Sequence, residues 1–118
     1  MDGHHLLDDV LAGLETSLSR CDHDGARRSL GFFHTHLDRY IRREERDVFP
    51  AYERAAGSGH ATARMRQEHG ALRRLTRVLD ARVAVRDLRG GLDTVGVLRS
   101  VLLLHIAKEE WIQRRAAG

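Results

Sequence analysis

The chain has 118 residues, a formal net charge of +3 and a pI near 9.7, which allows one domain (residues 1–118) with one small core. Charged residues at 31% and hydrophobic residues at 42% exclude a disordered composition. No uninterrupted apolar run approaches the roughly 18 residues of a membrane span and no signal sequence opens the chain, so a cytoplasmic location without a membrane partner is expected. The one cysteine, Cys21, excludes an internal disulfide and a cysteine-built metal cage, which leaves 8 histidines as the outstanding feature of the composition.

Helical spacing begins with Leu7, Val10, Leu11, Leu14 and Leu18, and this first helix is expected to end near Ser19 to Asp22. Asp22 or Asp24 can cap a second helix, whose stripe is Leu30, Phe33, Leu37, Ile41 and Val48. That helix is expected to run out after Pro50, near Gly57-Ser58-Gly59. A third helix carries Met65, Leu72, Leu75, Leu79 and Val83, and Gly90-Gly91 is expected to end it. The fourth carries Leu92, Val95, Leu98, Leu102 and Ile112. No sustained alternation or Asn-Gly hairpin signals a strand. Four helices with short connections predict an all-α, up-down antiparallel four-helix bundle.

The basic residues are nearly all arginine and are interleaved with acids, as in Arg42, Arg43, Glu44, Glu45, Arg46 and Asp47. They read as solvated helix faces rather than a nucleic-acid surface.

Shifting the sequence by 65 residues places His4 on His69, Leu7 on Leu72, Leu14 on Leu79, Phe33 on Leu98, Leu37 on Leu102, Ile41 on Ile106, Glu44 on Glu109 and Glu45 on Glu110, without a gap. Two helical hairpins built on one template would explain this pseudo-repeat. Apolar periodicity recurs in any bundle, but a histidine and a carboxylate recurring at one phase need another cause. His105 and Glu109 lie four residues apart, about 40° and about 6 Å on a helix. Both fall in the apolar stripe of the fourth helix, as His69 and His4 fall in theirs. A buried carboxylate costs several kcal/mol unless it is paired or metal-bound, so two carboxylates meeting imidazoles point to bound cations.

These residues resemble the hemerythrin-like, histidine–histidine–glutamate cation-binding family over nearly the whole chain. The resemblance rests on Tyr40-Ile41-Arg42-Arg43-Glu44-Glu45 followed by Val48-Phe49-Pro50, on Glu68-His69, and on His105-Ile106-Ala107-Lys108-Glu109-Glu110. It implies a bundle holding two non-haem irons, bridged by carboxylates and open to an oxo bridge. Carried over residue by residue, it implies His4, Glu44, His69, His105 and Glu109 as metal ligands. Imidazole and carboxylate without thiolate suit iron, manganese or zinc.

Tyr40 stands where the family usually has histidine. As a ligand, its phenolate would favour ferric iron and disfavour reversible oxygen carriage; the alternative is a core or supporting tyrosine. His36, one turn earlier, is the competing ligand or a proton relay, so Tyr40 and His36 are also the candidate catalytic residues. Arg73 replaces the second histidine that oxygen carriers of this family place four residues after His69, a departure that resembles the enzymatic and sensory members. His5, beside His4, is expected to face solvent, and His23, His34 and His60 to lie on the surface or in loops. Glu45 and Glu110 are expected at the surface or supporting a ligand, and Glu68 to orient an imidazole.

The leading expectation for function is redox chemistry on a small oxidant at a diiron centre. Hydrogen peroxide decomposition leads, with nitric oxide or dioxygen chemistry behind it and the reductant unspecified. A small apolar pocket near Phe33, Leu37 and Leu102 would admit only tiny molecules. The competing expectation is binding, sensing or storage of dioxygen, nitric oxide or iron without turnover. The oligomeric state is left open between monomer and homodimer.

Overall fold

A computed structural model describes residues 3–117, with side chains from His5 to Arg115. Its helices are α1 (Gly3–Ser19), α2 (His23–Arg43), α3 (Phe49–Ala56), α4 (His60–Ala84) and α5 (Leu88–Ala117). A π-helical turn, Glu44–Val48, joins α2 to α3 without leaving helical backbone, so the two form one rod and the described residues make four. No strand occurs among the described residues. The fold is an all-helical bundle of 49 × 24 × 19 Å.

The two tight turns are built alike. Ser19 is followed by Cys21 at φ 57°, and Ala84 by Arg86 at φ 60°. In the first turn Asp22 N–H donates to Ser17 O (2.8 Å) and Cys21 N–H to Leu18 O (3.0 Å). In the second, Asp87 N–H donates to Arg82 O (2.9 Å) and Arg86 N–H to Val83 O (3.0 Å). Each is a Schellman ending whose last residue caps the next helix. Asp22 accepts from Gly25 N–H and Asp87 from Gly90 N–H, both at 3.0 Å. A Cβ at Gly25 would lie 2.2 Å from the Asp22 carboxylate, and one at Gly90 2.1 Å from that of Asp87, so a side chain at either position would push the capping carboxylate aside. This corrects the expectation for Gly90-Gly91: the pair belongs to the first turn of α5, and Arg86 supplies the left-handed ending of α4.

Leu7, Leu11 and Leu14 of α1, Phe33, Leu37 and Ile41 of α2, Leu72 and Leu79 of α4, and Leu98 and Leu102 of α5 form the main core. α1 packs chiefly on α2 and α5, and α4 on α5 and more lightly on α2. Arg99 ties α5 to α1 through Asp8 (3.0 Å) and Glu15 (3.5 Å). His34–Asp80 (3.1 Å) and Arg73–Asp38 (3.3 Å) tie α2 to α4. Phe49, Met65 and Ile112 form a second, smaller core with Val48 and Tyr52 against it. Between the two clusters lies a buried polar layer of Tyr40, Glu44, His69, His105 and Glu109.

By length and mean hydropathy α5 satisfies the requirement for crossing a membrane, although no uninterrupted apolar run does. Its charged and polar groups Thr94, His105 and Glu109 are buried, so in this fold its inner face serves the bundle.

Candidate metal centre

Three rods deliver the polar layer. Glu44 opens the π turn, where Phe49 N–H reaches Glu44 O, five residues back. Pro50 cannot donate an amide hydrogen, so an α-helical ladder is already interrupted one residue later. A π turn adds a residue to the helical repeat and is frequent at functional sites. Here it lets two successive glutamates serve one centre.

The Glu44 Oε1 atom lies 2.6 Å from His69 Nε2 and 2.8 Å from His105 Nε2, and the two Nε2 atoms are 3.2 Å apart. All three side chains are buried. The opposite ring nitrogens are also occupied: His69 Nδ1 is 2.7 Å from Glu45 Oε2, and His105 Nδ1 is 2.8 Å from Glu68 Oε1. With each Nδ1–H donating a hydrogen bond to its carboxylate, each Nε2 turns a lone pair inward. Three lone-pair atoms then converge on one point, and they repel unless protons or a cation lie among them. In the metal-free protein protons fill this role. Burial opposes a charged ring at His105, yet contacts with Glu44 and Glu68 outweigh it and raise its pKa. Burial likewise pushes the Glu44 carboxyl up, but hydrogen bonds from His105 and His69 prevail and hold it below its ordinary value. At Glu68 the bonds from Lys108 and His105 overcome burial in the same way.

A model of the hemerythrin HHE cation binding domain matches residues 1–113. The chain belongs to this family. No curated protein and no solved structure matches it. Membership in the family implies a metal-binding site, and the donors of this chain fit one. Metal bonds of about 2.0–2.2 Å at roughly 90–110° require donors about 3.0–3.5 Å apart. The observed separations of 2.6–3.2 Å need only a slight expansion. The second Glu44 oxygen, Oε2, is buried and has no hydrogen-bond donor, which leaves it open to a cation.

Glu109 and Tyr40 adjoin this cluster. Tyr40 Oη donates to Glu109 Oε1 at 3.3 Å, and its ring meets His105 edge-on at a centroid distance of 6.1 Å. Burial and then the Glu44 charge push the Glu109 carboxyl up to about 7. Burial, reinforced by Glu44 and Glu109, also raises the Tyr40 phenol. Of the residues singled out from sequence, Glu44, His69 and His105 are brought together as potential ligands, with Glu109 and Tyr40 beside them. His36 is half-buried and packs on Phe32, ring centroids 4.1 Å apart. His5 is exposed, whereas the His4 side chain lies outside the described residues. Phe33, Leu37 and Leu102 sit within the main core.

Some of the machinery was not read from sequence. Phe49 stacks on His69 (5.4 Å, 18°), and Arg66, which pairs with Glu53 at 2.7 Å, covers the Phe49 ring. The supporting role was expected of Glu68 and was one of two readings for Glu45, but not the crosswise pairing: Glu45 of the π turn holds His69 of α4, and Glu68 of α4 holds His105 of α5. Lys108 in turn pairs with Glu68. Pro50 within a helical stripe was the available signal for the irregular turn.

Proposed function

We propose that this chain is a cytoplasmic non-haem diiron protein that decomposes hydrogen peroxide in oxidative or nitrosative stress defence. The observation that carries the reading is the convergence of Glu44, His69 and His105, with an outer carboxylate behind each imidazole. A donor set of imidazole and carboxylate without thiolate suits redox iron. Glu44 and Glu109 would bridge two irons, with His4, His69, His105 and Tyr40 completing their ends. The open Glu44 Oε2 supports a second ion. The two irons would supply paired one-electron changes in a dry interior.

The reaction balances without an outside reductant: one peroxide loses two electrons and two protons to become dioxygen, and a second gains them to become two waters. In the metal-free protein Glu109, its carboxyl pushed up to about 7, keeps a proton and Tyr40 Oη directs its own at Glu109 Oε1; both protons would leave when the two groups bind iron. Tyr40 as a hard oxygen donor favours the ferric state and works against reversible oxygen carriage. An up-down order of two hairpins from one template supports the bridging role. The two turns repeat each other at 65-residue spacing, and Glu44 and Glu109 are both fully buried at that spacing.

The test is oxygen evolution from peroxide by the iron-loaded protein. Turnover above free iron that is lost in His105→Ala supports the proposal; no turnover overturns it, and a stable reversible oxy species would assign the centre to binding. A ferric–phenolate band that vanishes in Tyr40→Phe identifies the tyrosine as ligand. Retained iron without such a band assigns the position to His36.

A further inference from the structure

One outer face of α5 is largely left open by the bundle, although its Trp111 meets the Tyr52 ring at a centroid distance of 6.2 Å. Val97 is 51% exposed, Leu104 66% and Trp111 42%, at seven-residue intervals. Ser100 and Ala107, both exposed and small, alternate with them, as in the a and d positions of a two-helix seam. Asp93 and Arg115, also exposed, continue the line at its two ends. On a helix, all five of Asp93, Val97, Leu104, Trp111 and Arg115 lie within about 20° of one line.

We infer that this face pairs with the same face of a second copy, antiparallel, about a two-fold axis at Leu104. Val97 and Trp111 stand at equal distances on either side of Leu104, as do Asp93 and Arg115. An antiparallel pair therefore sets Leu104 against the partner's Leu104, Val97 against the partner's Trp111, and Asp93 against the partner's Arg115. The stripe is self-complementary, as an isologous interface requires. A parallel pair would set Asp93 on Asp93 and Arg115 on Arg115, so the charges select the direction. Small Ser100 and Ala107 allow close approach of the two helices, while Trp111 supplies the large apolar contact typical of interface centres. Arg115 already covers the Trp111 ring at 4.7 Å, which places its guanidinium at the end of the seam. The flanking Arg99 is engaged with Asp8 and Glu15 and does not interrupt the stripe.

Sedimentation velocity on the iron-loaded full chain, across a concentration series, tests this. A monomer–dimer equilibrium is expected, lost in Leu104→Glu while iron content and helical circular dichroism stay unchanged. Asp93→Arg alone and Arg115→Asp alone should each raise the dissociation constant several-fold, and the double swap should restore it. In a Cys21→Ser background, Leu104→Cys should form an intermolecular disulfide. Asp93→Cys should not, because the partner's Asp93 would lie about 33 Å away. A monomer at every concentration overturns the inference, and so does a double swap no better than the single ones. A monomer that co-sediments with phosphatidylcholine–phosphatidylglycerol vesicles also overturns it and assigns the stripe to a lipid surface.

Discussion

The N-terminal half, α1 with the α2–α3 rod, and the C-terminal half, α4 with α5, bring unlike chemistry to the buried polar layer. Position 40 is tyrosine and position 105 is histidine. Glu44 meets two imidazoles, His69 and His105, and its carboxyl is held low; Glu109 meets the Tyr40 phenol, and its carboxyl is pushed up to about 7. The supporting residues differ accordingly. His105 gives its second nitrogen to Glu68, whereas position 3, 65 residues before Glu68, is glycine. A phenol has one polar atom and no second N–H to satisfy, so it needs no outer carboxylate. A tyrosine at position 40 therefore removes the need for a supporting acid, while burial and the Glu44 charge, against the Tyr40 hydrogen bond, hold the Glu109 carboxyl up. The backbones diverge too: Glu44 opens a π turn ahead of Pro50, while α5 continues unbroken through Glu109.

Removing the proposed ligands should break this contrast most. His105→Ala and Glu44→Ala are expected to lower iron affinity by more than the roughly 100-fold that marks the upper end for supporting partners. Tyr40→Phe should retain iron, as competition against a chelator would show. Equal losses from all three would mean that the halves contribute alike.

The outer carboxylates come next. Glu45→Ala and Glu68→Ala should each reduce affinity about 10- to 100-fold by freeing an imidazole ring, with the protein still folded by circular dichroism. If either variant binds iron as tightly as the parent chain, the crosswise support of His69 and His105 has no functional role.

The carboxyl contrast itself has a signature in pH. In the metal-free protein the raised Glu109 contributes stability that is fully present below its ordinary value of 4.5 and is lost as pH rises through about 7. The raised His105 acts with the same sign, losing its contribution as pH rises through its own elevated pKa. The lowered Glu44 and Glu68 act oppositely: their contribution is present above 4.5 and is lost as pH falls through their depressed values. Thermal unfolding of the metal-free protein should therefore show greatest stability in weak acid, and Glu109→Gln should flatten the decline toward pH 7. Iron loading should reverse that decline, because metal ligands must be deprotonated.

The smallest effects concern what the two halves share. Asp22→Ala and Asp87→Ala should each cost about 1 kcal/mol in denaturant unfolding, since each removes one cap at an equivalent turn. A marked inequality would show that the two turns are not energetically alike.

Leu7, Leu14, Phe33, Leu72, Leu98 and Leu102 could be read as core because burial on a helix repeats every three to four residues and leaves a local trace. Glu44, His69 and His105 could be read as a cluster because polar groups in apolar stripes stand out against that period. The ending of α4 was less legible. Gly90-Gly91 has the look of a terminator, and only the Asp87 cap shows that it begins a helix. His34 lies at the surface as expected, but its pairing with Asp80 of α4 left no trace in the sequence.

By itself, the sequence determined the helical character, the membership of the buried stripes and the donor types available to a cation, because each depends on residue identity and short-range spacing. Tertiary structure alone decided that Glu45 supports His69 while Glu68 supports His105, that Phe49 stacks on the His69 ring, and that Tyr40 faces Glu109. Those contacts join different rods. They depend on the π turn and on how the helices pack, and no spacing along a single helix encodes where another helix will place its side chains.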